Sequence, residues 1–261
     1  MGYFDDKNQW GIIIGGSSGL GYASAYKLAS EGMNLVIVHR DRRSDRDAIE
    51  AKFDELRGFG VKVDSFNVDA VNEEKMHELI AQIPALIHDG RIKVLLHSIA
   101  KGNLKRILKD DGLSLQDFNL TIQSMGTSLY AWVKALLEAD LFQKDSRVLA
   151  FTSEGSYKSQ MYYAAVSAAK ATLESIVRSI ALELAPFEIK ANCIQAGTTK
   201  TAALMRIPNS DELIEYSIKR NPYQRLTTPE DVGNVVFLMT MNESSWINGS
   251  IIPVDGGEHL R

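Results

Sequence analysis

Short runs rich in β-branched residues punctuate the chain at 10–14, 34–38, 61–68, 92–97, 147–152, 189–194 and 250–254, with helix-length stretches between them. Strands joined by crossovers of that length pair in parallel, since only a long connection brings the chain back to the starting edge. The repeated alternation predicts βαβ units, and hence an α/β fold with a Rossmann-type, doubly wound parallel sheet of about seven strands. Helices are expected at 45–57, 73–87, 115–139, 162–185 and 231–239. An earlier one opens at Gly19 and stops at Glu31-Gly32, where glycine takes the left-handed cap. No linker-like tract or internal repeat appears, so residues 1–261 are read as one domain.

The segment 197–225 breaks the rhythm, with Thr198, Thr199, Pro208 and Pro222 around one short helical piece at 210–219. Long irregular inserts in compact domains tend to be lids or binding loops. A substrate loop is expected here, against the plainer alternative of a solvated surface loop.

A formal net charge of −4 without any Lys/Arg block argues against binding nucleic acid or an anionic membrane through bulk electrostatics. Asp5 and Asp6 stand where a secretory signal needs positive charge, and the apolar run 10–14 is too short for a signal core or a membrane span. A cytoplasmic protein is the expectation. The single cysteine, Cys193, can form neither an intrachain disulfide nor a Cys-rich metal site, and its apolar neighbours mark it as core. No metal is expected.

The first strand runs straight into Gly15-Gly16-Ser17-Ser18-Gly19-Leu20-Gly21, and a helix follows. Unpaired amides and the helix dipole there both point at an anion, and the glycines let backbone approach a pyrophosphate. Ser17 and Ser18 add hydroxyl donors. The second strand ends in His39-Arg40-Asp41-Arg42-Arg43. An acid at that tip would accept from the ribose 2′-hydroxyl of NAD, whereas arginine can pair with the 2′-phosphate of NADP. Arg40 therefore predicts NADPH, while Asp41 one residue later keeps NADH open.

Lys170 lies in the helix 162–185, on or near an apolar stripe of Val166, Leu173, Val177, Ile180 and Leu184. A lysine there is costly unless paired or functional. On a continuous helix Tyr163, seven residues earlier, returns to within about 20° of Lys170, whereas Tyr162 misses by about 80°. A cation beside a phenol favours its deprotonated form, which a general acid requires.

The spacing Gly15-x3-Gly19-x-Gly21 resembles that of the short-chain dehydrogenase/reductase family, as does Asp69-Ala70 in the place of its adenine-holding Asp-Val pair. His97-Ser98-Ile99-Ala100, Tyr163-x6-Lys170 and Gln195-Ala196-Gly197-Thr198-Thr199-Lys200-Thr201 resemble the branch of enoyl-[acyl-carrier-protein] reductases in fatty-acid synthesis. Pro229-Glu230-Asp231-Val232-Gly233-Asn234 and Val254-Asp255-Gly256-Gly257 agree, so the resemblance spans essentially the whole chain. It implies that Tyr163 hydrogen-bonds the substrate oxygen and Lys170 binds the nicotinamide ribose. It further implies that Gly15, Ser17, Ser18, Gly19, Leu20, Gly21, Asp69, Ala70, Ser98, Ile99 and Ala100 line the cofactor. By the same match Thr199 and Thr201 contact its carboxamide and pyrophosphate, His97 is structural, and the helices at 115–139 and 162–185 pair into a homotetramer.

Departures keep alternatives open. The family's usual tyrosine, four residues before the lysine, is Val166 here, and Ser153 stands where ketoreductases keep a catalytic serine. Gln123 takes the place of the usual helix asparagine. The expected activity is NADPH-dependent reduction of the C2–C3 double bond of a trans-2-enoyl thioester, on acyl carrier protein or coenzyme A. Charge then develops on an oxygen two carbons from the hydride, which suits a tyrosine displaced by three residues, about 4.5 Å along a helix axis. The alternatives are a 3-oxoacyl or other carbonyl reductase using Ser153, and a non-catalytic NADP-binding sensor.

Overall fold

The computed structural model describes residues 2–108 and 110–261. In chain order its elements are β1 Gln9–Ile14, α1 Gly19–Ser30, β2 Asn34–His39, α2 Arg46–Arg57, β3 Val63–Asn67, α3 Glu73–Ile80, α4 Ile83–Ile87 and β4 Arg91–His97. There follow α5 Leu115–Ile122, α6 Ser128–Glu138, β5 Phe142–Thr152, α7 Ala164–Glu183, β6 Lys190–Ala196, α8 Ser210–Arg220, α9 Pro229–Leu238 and β7 Ile251–Val254. All seven expected strands form, and they make one parallel sheet in the order β3-β2-β1-β4-β5-β6-β7. The fold is therefore Rossmann-like, with helices on both faces.

Alternate residues of β1 face opposite layers, as the pleat requires. Ile12 and Ile14 pack with Leu129, Trp132, Leu173 and Val177 on one side of the sheet. Ile13 packs with Leu28, Phe53, Val232 and Val236 on the other. Near-continuous apolar strands are what a sheet covered on both faces needs. Strand order departs in opposite directions from β1, so a crevice opens at the C-terminal ends of β1 and β4, where Ile14 pairs with both Val38 and His97. Ligands of such sheets bind at that switch point.

Three helices differ from expectation. The stretch 73–87 divides into α3 and α4, because Pro84 lacks the N–H that a continuous helix needs and instead occupies the first turn of a new one. The stretch 115–139 carries a π-helical turn at Gln123–Thr127 between α5 and α6. Gly126 there lies against α7, with room for a Cβ only 3.2 Å from the Ala169 carbonyl oxygen. Finally, α7 starts at Ala164 instead of residue 162, because Tyr162 is left-handed at φ +67° and cannot continue a right-handed helix. Among the described residues no helix is long and apolar enough to cross a membrane.

Candidate active site

The glycine turn is as tight as its sequence requires. Gly15 sits at φ +85° and Gly19 at φ +54°, conformations that side chains disfavour. A Cβ on Gly15 would lie 2.5 Å from the Ser98 carbonyl oxygen, and one on Gly21 would lie 2.2 Å from that of Gly15. The Ser98 N–H donates to the Ile14 carbonyl at 2.8 Å, fixing the end of β4 beside the turn. Ser18 caps α1 only through its backbone and makes no side-chain cap, so the first-turn amides remain available to an anion. Thr201 reaches over the turn, its methyl 3.4 Å from where a Gly19 Cβ would stand. A cradle that side chains would fill, rimmed by Ser17, Ser18 and Thr201 at a helix N-terminus, fits the pyrophosphate of a dinucleotide. Gly21→Ala is expected to weaken nicotinamide cofactor binding about five- to hundredfold, since overpacking against backbone costs about 1–3 kcal/mol. Fluorescence titration of the reduced cofactor reads it, and unchanged affinity would remove Gly21 from the site.

Beyond β2, the His39 imidazole bonds the Asp41 carboxylate at 2.7 Å. Asn67 exchanges two hydrogen bonds with the Asp41 backbone, donating to its carbonyl and accepting from its N–H. Asp41, the acid that left NADH open, is thus held by the protein itself. Arg40 remains more than half exposed and forms an ion pair with Asp69 at 2.8 Å.

The end of β5 gathers the acid–base groups. Lys170, on the second turn of α7, is buried and donates from Nζ to the Phe151 carbonyl at 2.6 Å. One turn further on, Glu174 accepts from the Thr152 hydroxyl at 2.5 Å. Two successive strand residues are thereby fastened to α7, and Ser153 follows immediately. Tyr163 arrives from the other side, its hydroxyl beside that of Ser153. Its ring packs so closely on Gly155 that a Cβ there would fall 2.6 Å from the ring. Tyr163 occupies the residue before α7 and not a helical turn, so the seven-residue helical spacing does not apply, and its phenol is governed by burial and Ser153 with no contribution from the Lys170 charge. Lys170 meets β5 itself through Phe151, and Tyr163 meets the loop that follows through Ser153 and Gly155.

Burial raises the Tyr163 phenol above its ordinary value, with the Ser153 contact opposing, so it is a neutral donor at pH 7. Burial pushes Lys170 down to about 8 against the pull of Cys193 and Glu174. Burial likewise pushes Cys193 up to about 12, an inert core thiol. His97 is held down to about 3 by burial and by the Lys170 charge, and its Nε2 meets the Ser128 hydroxyl at 2.8 Å, so it is neutral and structural. Val166 is buried with Met125 and Ala169 and carries no polar group to the site. Gln123 is exposed on the π turn, so nothing takes over the role of a buried helix asparagine at that position.

The segment 197–225 is anchored by an ionic chain that the sequence did not announce. Arg220, at the end of α8, pairs with Glu154 and with Glu258, the latter at 2.7 Å. Glu258 in turn accepts from the Thr198 hydroxyl at 2.8 Å, and Ser217 donates to Thr198 at 2.8 Å. Burial works to lower the Arg220 pKa, but the two carboxylates outweigh it and hold the guanidinium charged. Thr199 is buried and donates to the Gly197 carbonyl at 2.9 Å, which leaves its side chain turned into the loop. A cleft of about 600 Å³ lies at the β7 edge, lined by Tyr223, Thr227, Val254 and His259, and includes neither Tyr163 nor Lys170.

A sequence profile described as enoyl-(acyl carrier protein) reductase matches residues 14–259. The chain belongs to that family. Among similar proteins, the NADH enoyl-[acyl-carrier-protein] reductase of Enterococcus faecalis is 27% identical over 267 residues, covering 99% of each chain. The 3-oxoacyl-[acyl-carrier-protein] reductase of Synechocystis is also 27% identical, covering 95% of this chain and 96% of its own. The crystal structure of the NADH enoyl-[acyl-carrier-protein] reductase of Aquifex aeolicus superposes with a TM-score of 0.84 at 25% identity, covering 97% of each chain. This family member is accordingly a short-chain dehydrogenase/reductase, an oxidoreductase dependent on a nicotinamide cofactor.

Proposed function

We propose that the protein uses NADPH to reduce the C2–C3 double bond of a trans-2-enoyl thioester. The observation that carries this is the placement of Tyr163 at the end of β5 while the buried Val166 fills the position from which a ketone reductase would protonate its product. When bound, the cofactor would supply the hydride for C3, with the proton for C2 drawn from solvent, and its pyrophosphate would be held by Gly15, Ser17, Ser18, Gly19, Leu20, Gly21 and Thr201. Asp69, Ala70, Ser98, Ile99 and Ala100 would hold its adenosine half, Lys170 its nicotinamide ribose and Thr199 its carboxamide. Tyr163 donates a hydrogen bond to the thioester oxygen, where negative charge develops, and the buried Lys170 cation favours that charge. The segment 197–225, tied down through Arg220, closes over the acyl chain. Arg40 favours NADPH, since Asp41 is engaged by His39.

One observation favours a second reading. Ser153 stands beside Tyr163, and a serine-tyrosine pair is what carbonyl reduction uses. Reaction type is tested by giving the purified protein NADPH with a trans-2-enoyl thioester or with the matching 3-oxoacyl thioester and following nicotinamide absorbance. Faster oxidation with the enoyl substrate is expected, by about 10²-fold or more, the effect of one well-placed acid. Faster oxidation with the 3-oxoacyl substrate would reverse the assignment and make Ser153 a principal catalytic residue. No turnover with either, despite cofactor binding, would move the substrate outside fatty-acyl thioesters.

A further inference from the structure

Two cations from different strands converge on one carboxylate oxygen at the cofactor crevice. Arg40 follows β2 and reaches Asp69 Oδ2 at 2.8 Å, while Lys101 follows β4 and approaches the same oxygen at 4.0 Å. Asp69 follows β3, on the outer side of β2, whereas β4 lies on the far side of β1. The three side chains therefore span the strand ends on both sides of the glycine turn, across the place where the adenosine of a dinucleotide would lie. Both cations are more than half exposed and Asp69 about one third. Ion pairs that open to solvent are individually weak, so a better anion can displace the carboxylate. A phosphate offers more charge and three acceptor oxygens, and arginine pairs with it bidentately.

We propose that Arg40 and Lys101 together form the 2′-phosphate site, and that Asp69 is their exchangeable counterion. This rests on the NADPH reading above and adds to it a second cation and a competitor. When the 2′-phosphate enters, it replaces the Asp69 carboxylate between the two cations, and Asp69 is released toward the adenine. A 2′-hydroxyl carries no charge to displace Asp69, so the unphosphorylated cofactor must bind against an intact ion pair. Lys101 thus becomes a specificity-determining residue, and Asp69 acts on cofactor choice as well as on adenine.

The test uses ligands that carry only the adenosine half. Calorimetric binding of adenosine 2′,5′-bisphosphate and of 5′-AMP is measured for the wild-type protein and for Arg40→Ala, Lys101→Ala and Asp69→Asn. The wild type is expected to prefer the bisphosphate at least tenfold. Arg40→Ala and Lys101→Ala are each expected to cut that ratio three- to tenfold, mostly through weaker bisphosphate binding, and the double variant to bring it near one. Asp69→Asn is expected to raise the ratio two- to fivefold even where both ligands bind less tightly. The preference is expected to shrink as salt is raised, as exposed charges require. If the wild type binds both ligands equally, the NADPH reading itself fails and the inference with it. If the wild type discriminates and Lys101→Ala keeps the full ratio, the two-cation site is overturned while NADPH stands. A ratio that falls in Asp69→Asn overturns the exchange. All five proteins are compared by circular dichroism, and the exposed Lys101→Ala provides the comparison least exposed to folding defects.

Discussion

Tyr163→Phe is expected to lower turnover of a trans-2-enoyl thioester by about 10²–10⁴-fold, the contribution of one positioned proton donor, while cofactor affinity changes little. The substitution deletes only the hydroxyl. Its ring still fills the contact with Gly155, and the Ser153 hydroxyl still accepts the Gly155 N–H at 3.1 Å, so the loop after β5 keeps its shape. Burial keeps the wild-type phenol protonated at neutral pH, and what is lost is a donor aimed at the oxygen that becomes an enolate. The loss is therefore expected in kcat more than in KM. Ser153→Ala separates the two reaction types. A modest loss with the enoyl substrate fits Tyr163 as the principal donor, whereas a loss equal to that of Tyr163→Phe would mean that the pair acts as one unit, as carbonyl reduction requires. Unchanged turnover in Tyr163→Phe would move the role to Tyr157 or Tyr162. Of these Tyr162 is already engaged, its hydroxyl accepting from Arg106 at 3.0 Å.

The parts of this site that were legible in sequence are those encoded locally. Each β-branched run became a strand, because burial on both faces of a parallel sheet demands apolar residues at nearly every position. The turn Gly15 to Gly21 was legible because only glycine tolerates contacts of 2.2–2.5 Å at a Cβ position. Lys170 was legible because a cation on an apolar stripe needs a reason. The start of α7 was not, since Tyr162 is a common residue in a left-handed conformation and nothing in its neighbours marks it. It is held by Arg106, which donates to its hydroxyl and stacks over its ring at 5.0 Å, a contact across 56 positions of chain. The chain from Glu154 through Arg220 to Glu258 was illegible for the same reason, because its members lie 66 and 38 residues apart. No local pattern distinguishes Arg220 from Lys219, one residue earlier on α8. The pairing of Arg40 with Asp69 is visible only once the sheet order places the ends of β2 and β3 side by side.

Lys170→Met is expected to abolish activity and yet make the folded protein more stable at neutral pH. Burial holds Lys170 down to about 8, against an ordinary value of 10.5. A folded-state pKa below the unfolded one means that the fold disfavours the protonated form. Below about pH 8 both states carry the proton and the penalty is fully present, on the order of 3 kcal/mol for a shift of that size. Between about pH 8 and 10.5 the unfolded chain binds a proton that the folded one does not, so wild-type stability rises with pH across that window. Methionine has similar length and no charge to bury. Its cost is the bond from Nζ to the Phe151 carbonyl, about 1 kcal/mol. Glu174 keeps its partner, the Thr152 hydroxyl, which limits the effect of losing the nearby cation. The net gain at pH 7 is on the order of 1–2 kcal/mol, read from urea midpoints at unchanged slope. It is expected to fade as pH rises through 8, to vanish before about 10.5, and above that to reverse by about 1 kcal/mol, the hydrogen bond that methionine lacks. Lower stability of Lys170→Met at pH 7 would mean that Phe151 and Glu174 hold the charge more strongly than burial opposes it. A more stable but inactive variant would instead identify Lys170 as a residue kept for chemistry at the expense of the fold, as functional sites often are.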